Sequence, residues 1–251
     1  MKALITGASS GIGRDMAKIL GDMGYDLILV GRNRKRLEET SEAAETSSVI
    51  YECDLSDENA CFELYQNFKS ENIDVLINNA GFGLIGEFYE SDLNTELDMI
   101  KTNVSAVHIL TKLFLQDFIE RDSGYILNVS SAAAFQPGPL MAAYYSTKAY
   151  VLRLTQAVYE ELRRRNSRVY IGALCPGPVD TNFNNTANVR FALKGLPSEY
   201  VASYAIAKMF KRKLTIIPGI TMKLSHLFER FLPDKILLRI TYHFQHKKSN
   251  R

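Results

Sequence analysis

Three side chains in the middle of the chain have the types and spacing needed to deliver a proton: Ser131, Tyr144 and Lys148. A tyrosine four residues before a lysine shares one helix face with it, one turn apart. A cation near a phenol lowers the pKa of the tyrosine, which suits a general acid for carbonyl reduction. Ser131 follows an apolar strand pattern and can offer its hydroxyl to the same oxygen. Tyr145 shares this helix face almost as well, so spacing alone leaves the choice of tyrosine open.

These side chains need a scaffold, and short apolar runs alternate with helical patterns along nearly the whole chain. Apolar strands separated by helices are typical of a parallel sheet covered on both faces. The prediction is an α/β fold: a Rossmann-type doubly wound parallel sheet of about seven strands in a single domain, with ligands at the carboxyl ends of the strands. The predicted strands are Ala3–Thr6, Tyr25–Val30, Val49–Asp54, Val75–Asn78, Tyr125–Val129, Val169–Leu174 and Leu214–Ile217. Asn182–Pro197 lacks clear periodicity and is the predicted place of a substrate loop.

The composition, with 46% hydrophobic and 23% charged residues among 251, is ordinary for a globular protein. The three cysteines have no C-x-x-C spacing and the four histidines are spread out, so we expect no metal site, no disulfides and a reducing compartment. The chain shows neither a signal-peptide pattern nor an apolar run of about 18 residues. The expected location is therefore cytoplasmic.

A glycine-rich turn directly follows the first predicted strand and opens the first predicted helix. Gly7 permits the tight turn, Gly11 lets a ligand approach the backbone, and Gly13 lets the helix pack near the strand. With Ser9, Ser10 and Ile12, this loop places a diphosphate at the helix N-terminus, where free amides and the dipole favour negative charge. The alternative is a turn that serves only packing. The P-loop sequence Gly-Lys-Ser/Thr is absent, which disfavours a nucleoside triphosphatase.

The end of the second predicted strand indicates which dinucleotide binds. NAD enzymes usually carry an acid there for the ribose 2′-hydroxyl, but Asp26 is at the wrong end and Arg32 follows the strand. A guanidinium suits a 2′-phosphate, so NADP(H) is the predicted cofactor and Arg32 its phosphate ligand. Arg14 and Arg34 are further candidates. The alternative is that these arginines merely form a solvated helix start.

Together these segments resemble the short-chain dehydrogenase/reductase family over nearly the whole chain. The matching motifs come in the order and at the spacing of that family. They are Thr6–Gly13, Asp54-Leu55, Asn78-Asn79-Ala80-Gly81, Asn103, Ser131, Tyr144 with Lys148, and Pro176–Thr181.

The resemblance implies a role for each residue of the catalytic set. Tyr144, selected by the family register, would give a proton to the substrate oxygen. Lys148 would hold the nicotinamide ribose and lower the tyrosine pKa, Ser131 would bind the carbonyl, and Asn103 would anchor a water in a proton relay. Asp54 and Leu55 would contact the adenine, although Asp54 could instead only cap its turn. The remaining implied cofactor contacts are Asn79, Ala80, Gly81, Pro176, Gly177, Val179 and Thr181.

The implied function is NADPH-dependent reduction of a ketone or aldehyde to an alcohol, with 3-oxoacyl or other hydrophobic ketones as the leading small-molecule substrates. A catalytically idle NADP-binding sensor or scaffold is the alternative, and a lyase or epimerase with transient use of the cofactor is a third reading. The resemblance also implies a homodimer or homotetramer, paired through Val104–Phe118 and Val151–Leu162.

The C-terminal segment differs from the rest in charge. Residues 205–251 carry eleven Lys or Arg against two acids, a net +9, while residues 1–204 carry −7. We therefore divide the chain into a Rossmann dinucleotide-binding and catalytic domain, 1–220, and a basic amphipathic helical extension, 221–251. Two short helices broken at Pro233 are predicted in the extension. Their apolar stripes are Leu224, Leu227, Phe228 and Phe231, then Ile236, Leu237, Ile240 and Phe244.

Three roles remain open for these stripes. The commonest use of such stripes is packing, here on the domain itself or on a second subunit. The other two roles are docking on an anionic membrane and recruiting an acidic acyl-carrier protein. Nucleic acid is not an expected partner, because the basic residues form no known binding motif.

Overall fold

The computed structural model describes residues 1–181, 195–229 and 231–249. Its main sheet has seven parallel strands in the order β3-β2-β1-β4-β5-β6-β9, which confirms the predicted doubly wound α/β fold. The strands are β1 (Lys2–Thr6), β2 (Asp26–Gly31), β3 (Ser48–Glu52), β4 (Val75–Asn78), β5 (Tyr125–Val129), β6 (Tyr170–Leu174) and β9 (Thr215–Ile216). A short parallel pair, β7 (Val179–Asp180) and β8 (Leu196–Pro197), lies apart from this sheet.

Each predicted strand exists: β4 and β5 have the predicted bounds, and the ends of the others differ by one or two residues. Asp54 was predicted inside the third strand, but β3 ends at Glu52 and Asp54 begins the following turn. The pair β7–β8 was not predicted, because two residues are too few to show a period. Of the segment predicted as a substrate loop, residues 182–194 lie outside the described residues.

Helices cover both faces of the sheet, because its strands are apolar on both sides. In the described residues they are α1 (Gly11–Asp22), α2 (Arg34–Ala43), α3 (Glu58–Phe68), α4 (Leu93–Ile100), α5 (Ala106–Glu120), α6 (Ala142–Arg164), α7 (Ser198–Phe210), α8 (Ile220–Glu229) and α9 (Asp234–Ser249). One face buries Met16, Leu20 and Ile206 of α1 and α7. The other buries Phe114 and Phe118 of α5.

Buried amides fix α5 and α6, and α6 carries both Tyr144 and Lys148. Asn78 at the end of β4 donates to Asn128 Oδ1 in β5 at 2.9 Å and to Thr111 Oγ1 of α5 at 3.1 Å. Asn128 in turn donates to Thr155 Oγ1 of α6 at 3.0 Å. A buried polar group is costly unless it is paired, so these bonds hold α5 and α6 in register with the carboxyl ends of the strands.

Candidate active site

A cavity of about 980 Å³ lies at the carboxyl ends of the central strands. The strand order reverses between β1 and β4, which are neighbours in the sheet. Ligands of open α/β sheets bind at such a switch point. Among the predicted site residues, Gly13 and Asn103 do not line the cavity, and all the others do. The lining members are Gly7, Ser9, Ser10, Gly11, Ile12, Arg32, Asp54, Leu55, Asn79, Ala80, Gly81, Ser131, Tyr144, Lys148, Pro176, Gly177, Val179 and Thr181.

The two candidate tyrosines have different surroundings. Tyr144 is 8% exposed and its hydroxyl shares a hydrogen bond with the Ser131 side chain. Lys148 Nζ lies 5.9 Å from the centre of the Tyr144 ring and donates to Val129 O at 3.0 Å. The Tyr145 hydroxyl instead accepts a hydrogen bond from Gln245 in the C-terminal helix. The structure therefore brings Ser131, Tyr144 and Lys148 together, while Tyr145, which also lines the cavity, is bonded to the C-terminal helix.

Burial controls the ionisation of this cluster. It raises the pKa of Tyr144 to about 12, against the opposing effect of the hydrogen bond to Ser131. It lowers the pKa of Lys148 to about 8. The pKa of Tyr144 is thus raised rather than lowered as expected, because burial disfavours the charged phenolate. The predicted effect of Lys148 on this pKa stays a prediction. Near neutral pH the phenol of Tyr144 keeps its proton and can donate it.

Asn103 is fully buried in a π-helical turn, Lys101–Ser105, that joins α4 to α5. Its Oδ1 accepts from Phe82 N at 3.1 Å, and its Nδ2 donates to Phe82 O at 2.9 Å and to Thr147 Oγ1 at 3.1 Å. The asparagine therefore fastens the loop after β4 to the turn of α6 that carries Lys148. A π-turn of this kind is common at functional sites. The predicted role of Asn103 as the anchor for a water stays a prediction.

The glycine loop leaves no room for side chains. A Cβ on Gly7, which has φ +65°, would lie 2.8 Å from Ala80 Cα, and one on Gly11, which has φ +53°, would lie 2.9 Å from Thr181 Cγ2. A Cβ on Gly13 would collide with the carbonyl oxygen of Gly7. Ser10 precedes α1 without capping it through its side chain, so the first-turn amides can receive an anion. This cradle fits a dinucleotide diphosphate.

The cationic rim of the cavity contains one arginine that the sequence did not single out. Arg32 lines the cavity and lies 3.8 Å from Asp54 Oδ2, and Arg36 in the first turn of α2 lines it as well. Arg34 pairs with Glu38 at 3.1 Å, and the Arg14 guanidinium pairs with Asp15 at 2.9 Å. Neither Arg34 nor Arg14 lines the cavity. The Asn33 side chain caps α2 by accepting from Arg36 N at 3.0 Å.

Asp54 fixes its turn and also lines the cavity, and its predicted contact with the adenine stays a prediction. Its Oδ1 accepts from Ser56 N and Ser56 Oγ, each at 2.9 Å, and these bonds fix the turn. The same residue lines the cavity beside Leu55. Capping the turn therefore does not compete with contact to an adenine.

The family model for short chain dehydrogenases matches residues 1–190. The chain belongs to the short-chain dehydrogenase/reductase family. This family assignment makes the protein an oxidoreductase, as the resemblance implied.

Three relatives illustrate the similarity of this short-chain dehydrogenase/reductase to known proteins. The 3-oxoacyl-(acyl-carrier-protein) reductase of Rickettsia prowazekii is 27% identical over 89% of this chain and 94% of its own. A short-chain dehydrogenase from Sphingobium yanoikuyae, solved in complex with NADPH, is 26% identical with a TM-score of 0.82 over 91% of this chain and 92% of that one. The bulky-bulky ketone specific alcohol dehydrogenase from Comamonas testosteroni is 26% identical with a TM-score of 0.79 over 91% of each chain.

In this short-chain dehydrogenase/reductase, the C-terminal helices form the wall of the cavity opposite the arginines. Their inner face packs on the domain: the ring of His226 stacks on Phe135 at 3.7 Å, and Thr241 Oγ1 lies 3.4 Å from Gln136 Oε1. The sequence did not predict this wall, because the pattern of residues within the two helices does not show which stripe faces the cavity. Its lining residues are Met222, Ser225, Phe228, Glu229, Leu232, Leu237, Ile240, Thr241, Phe244 and Gln245.

The members of the two predicted apolar stripes of the extension differ in burial. The break at Pro233 falls between α8 and α9 as predicted. Internal packing, the use expected most for such stripes, holds for Leu237, which is 7% exposed. The other seven members are between 40% and 77% exposed and do not pack inside the domain, while packing on a second subunit stays a prediction: Leu224, Leu227, Phe228, Phe231, Ile236, Ile240 and Phe244. The domain boundary at residue 220 stays a prediction.

The described residues contain neither a membrane-spanning helix nor a metal-binding cluster. No helix there is long and apolar enough to cross a membrane. No group of three His, Cys, Asp or Glu side chains in the same part of the chain could hold a metal ion.

Proposed function

We propose that the protein is an NADPH-dependent reductase that converts a hydrophobic ketone or aldehyde into an alcohol. The observation that carries this proposal is the buried Tyr144 phenol beside Ser131 and Lys148, inside a cavity with a cationic rim at one end and an apolar wall at the other. The rim suits the 2′-phosphate of NADP(H), and the wall suits an apolar substrate.

Each catalytic residue has a role that its position supports. Ser131 would hydrogen-bond the carbonyl oxygen, and Tyr144 would give that oxygen its proton. Lys148 would hold a positive charge close to the phenol and stabilise the phenolate as it forms. Asn103 would keep the loop after β4 in place beside Lys148. When bound on the glycine loop with its phosphate at Arg32, NADPH supplies a hydride for the carbonyl carbon.

The proposed substrate is apolar and of considerable size. Phe228, Leu232, Ile240 and Phe244 line the cavity and are also between 38% and 66% exposed, so they form its mouth. Names of two relatives agree with such a substrate, since one reduces 3-oxoacyl groups and the other is specific for bulky ketones. A homodimer or homotetramer through the helices of residues 104–118 and 151–162 stays part of the proposal.

A panel of bulky ketones, 3-oxoacyl thioesters and keto steroids tests this function through NADPH absorbance. We expect turnover with at least one hydrophobic ketone and much weaker turnover with acetone, because acetone leaves the apolar wall uncovered. The Ser131→Ala protein serves as the control for background oxidation. NADPH binding without turnover across the panel would contradict the proposal and favour the idle sensor.

We also propose that the outer face of α8 and α9 docks on an anionic membrane. Apolar side chains cover this face, and Lys223, Lys235 and Arg239 lie on the same two helices. An exposed apolar face with basic flanks is typical of a helix that lies in the membrane interface. Since Phe228 and Phe244 belong both to this face and to the cavity mouth, docking would open the cavity toward the bilayer.

Vesicle co-sedimentation tests the docking. At low salt we expect binding to vesicles that contain phosphatidylserine, with weaker binding to neutral vesicles and in high salt. Replacing both Leu224 and Phe231 with serine should weaken binding by about tenfold or more, since burying each such side chain contributes roughly 1.5–3 kcal/mol. Phe62→Ser, a substitution on exposed α3, should have no effect. Equal binding to neutral and anionic vesicles would refute the proposal. Tighter binding to an acyl-carrier protein than to anionic vesicles would refute it as well.

A further inference from the structure

Thr147 is a buried residue of α6 that lies between Tyr144 and Lys148 in the sequence. Its Oγ1 donates a hydrogen bond to the main-chain oxygen of Tyr144 at 2.7 Å. The same Oγ1 accepts a hydrogen bond from Asn103 Nδ2 at 3.1 Å. The hydroxyl of Thr147 therefore joins α6, which carries the catalytic pair, to the π-helical turn that carries Asn103.

The hydroxyl of Thr147 also determines which way the Asn103 amide points. A hydroxyl has one hydrogen, and that of Thr147 is committed to Tyr144 O. Thr147 can therefore only accept from Asn103, so the amide must present its Nδ2 to α6. Phe82 supports this orientation, because its N–H donates to Asn103 Oδ1 and its carbonyl accepts from Nδ2. Both hydrogens of Nδ2 are then used, while Oδ1 can accept from a second donor.

The oriented oxygen of Asn103 faces the ammonium of Lys148 beside Gly81. A Cβ on Gly81 would lie 2.7 Å from Asn103 Oδ1 and 3.3 Å from Lys148 Nζ. Both atoms thus approach the same point, and only a glycine leaves the space between them open. An amide oxygen carries a partial negative charge, so its position here favours a positive charge on Lys148.

The Lys148 ammonium needs such support because it is buried, and burial lowers its pKa to about 8. Nζ donates to Val129 O at 3.0 Å, and Lys148 takes part in none of the ion pairs of the described residues. The titratable side chains that face it are Tyr144, one turn earlier on α6, and Cys175, which follows β6. Burial raises the pKa of each to about 12, so both stay neutral where Lys148 titrates.

We propose that Thr147 is a positioning residue of the reductase, which keeps Asn103 Oδ1 turned toward the Lys148 ammonium. Thr147 does not line the cavity, so it acts through Asn103. The oxygen helps Lys148 to keep its positive charge, and that charge stabilises the phenolate of Tyr144 as it forms. This inference rests on the proposed reductase function and adds a residue to its machinery.

Thr147→Val tests the inference, because valine keeps the shape of threonine but cannot accept a hydrogen bond from Asn103. We expect the alkaline limb of kcat for ketone reduction to move to lower pH by about half a unit to one unit, since a less stabilised ammonium loses its proton earlier. At about pH 9 kcat should therefore fall about 3-fold to 10-fold, while at about pH 6.5 kcat and the KM for the ketone stay within about twofold of the wild type. Thr147→Ser keeps the hydroxyl and should restore the wild-type profile.

Thr155→Val is the matched control, two turns further along α6. Thr155 is buried as well, donates to Val151 O at 2.7 Å and accepts from Asn128 Nδ2 at 3.0 Å, so valine removes an equivalent pair of hydrogen bonds. It should lower the melting temperature without moving the alkaline limb. An equal shift of the limb in Thr147→Val and Thr155→Val would overturn the inference, because the effect would then come from a loosened helix.

A direct titration of Lys148 separates the failure of this inference from the failure of the reductase proposal. NMR of protein labelled with ¹³C at the lysine Cε atoms requires no turnover, and Lys148→Arg identifies the signal. Thr147→Val should lower the measured pKa of Lys148 by about half a unit to one unit, and Thr147→Ser should not. Thr147→Ala, which also lacks the hydroxyl, replaces Thr147→Val if that variant does not fold. An unchanged pKa would overturn the inference even where the ketone is reduced, and a lowered pKa would support it even where no ketone is reduced.

Discussion

Replacing Tyr144 with phenylalanine should lower kcat for ketone reduction by about 10²-fold to 10⁴-fold, the usual contribution of a positioned general acid. The phenol is buried, shares a hydrogen bond with Ser131 and lies beside the Lys148 ammonium. Phenylalanine keeps the ring and its packing but removes the proton donor. The measurement is NADPH oxidation at saturating ketone, together with a fluorescence titration of NADPH binding. The titration should change little, because the loss concerns the transfer of the proton.

Tyr145→Phe is the matched control, one residue away on the same helix. It removes the hydrogen bond from Gln245, and such a bond contributes about 0.5–1.5 kcal/mol to stability. We expect a slightly lower melting temperature and a kcat within about tenfold of the wild type. A large loss of turnover in Tyr145→Phe, with activity retained in Tyr144→Phe, would reverse the assignment.

The sequence predicts well those features that depend on neighbours along the chain. Strand positions follow from apolar runs, because a strand buried on both faces has almost no polar residue. The glycine loop follows from its spacing directly after β1, although the contacts that exclude a Cβ at Gly7 come from Asn79 and Ala80 beyond β4. The helix break before α9 follows from Pro233, which cannot continue α8.

Features that depend on distant residues could not be predicted in this way. Tyr144 and Tyr145 both lie about one turn before Lys148 on α6, and the structure separates them through Gln245 near the end of the chain. The sign of the Tyr144 pKa shift depends on burial, which spacing does not reveal. The amphipathic pattern of α8 and α9 predicted helices, yet the choice between cavity wall and exposed face came from tertiary packing.

Removing Arg32 or Arg36 should weaken NADPH binding and leave NADH binding nearly unchanged. A hydrogen bond to a charged group contributes about 1.5–3 kcal/mol, so each change to alanine should raise the Kd for NADPH roughly 10-fold to 100-fold. NADH lacks the 2′-phosphate, so removing either arginine removes no phosphate contact from it. Arg32 also lies 3.8 Å from Asp54, but both side chains are at least half exposed, and such pairs stabilise a protein little. The affinities can be measured by fluorescence titration at constant salt.

The Arg34→Ala variant shows whether NADPH binding depends on the position of an arginine or only on its charge. Arg34 carries the same charge in the same segment, but it pairs with Glu38 and does not line the cavity. If the rim acts only through its total charge, Arg34→Ala should weaken NADPH binding as much as Arg32→Ala does. If the guanidinium groups contact the 2′-phosphate directly, only Arg32→Ala and Arg36→Ala should do so. A wild-type protein that binds NADH more tightly than NADPH would refute the assignment, because the guanidinium groups of Arg32 and Arg36 would then bind no phosphate.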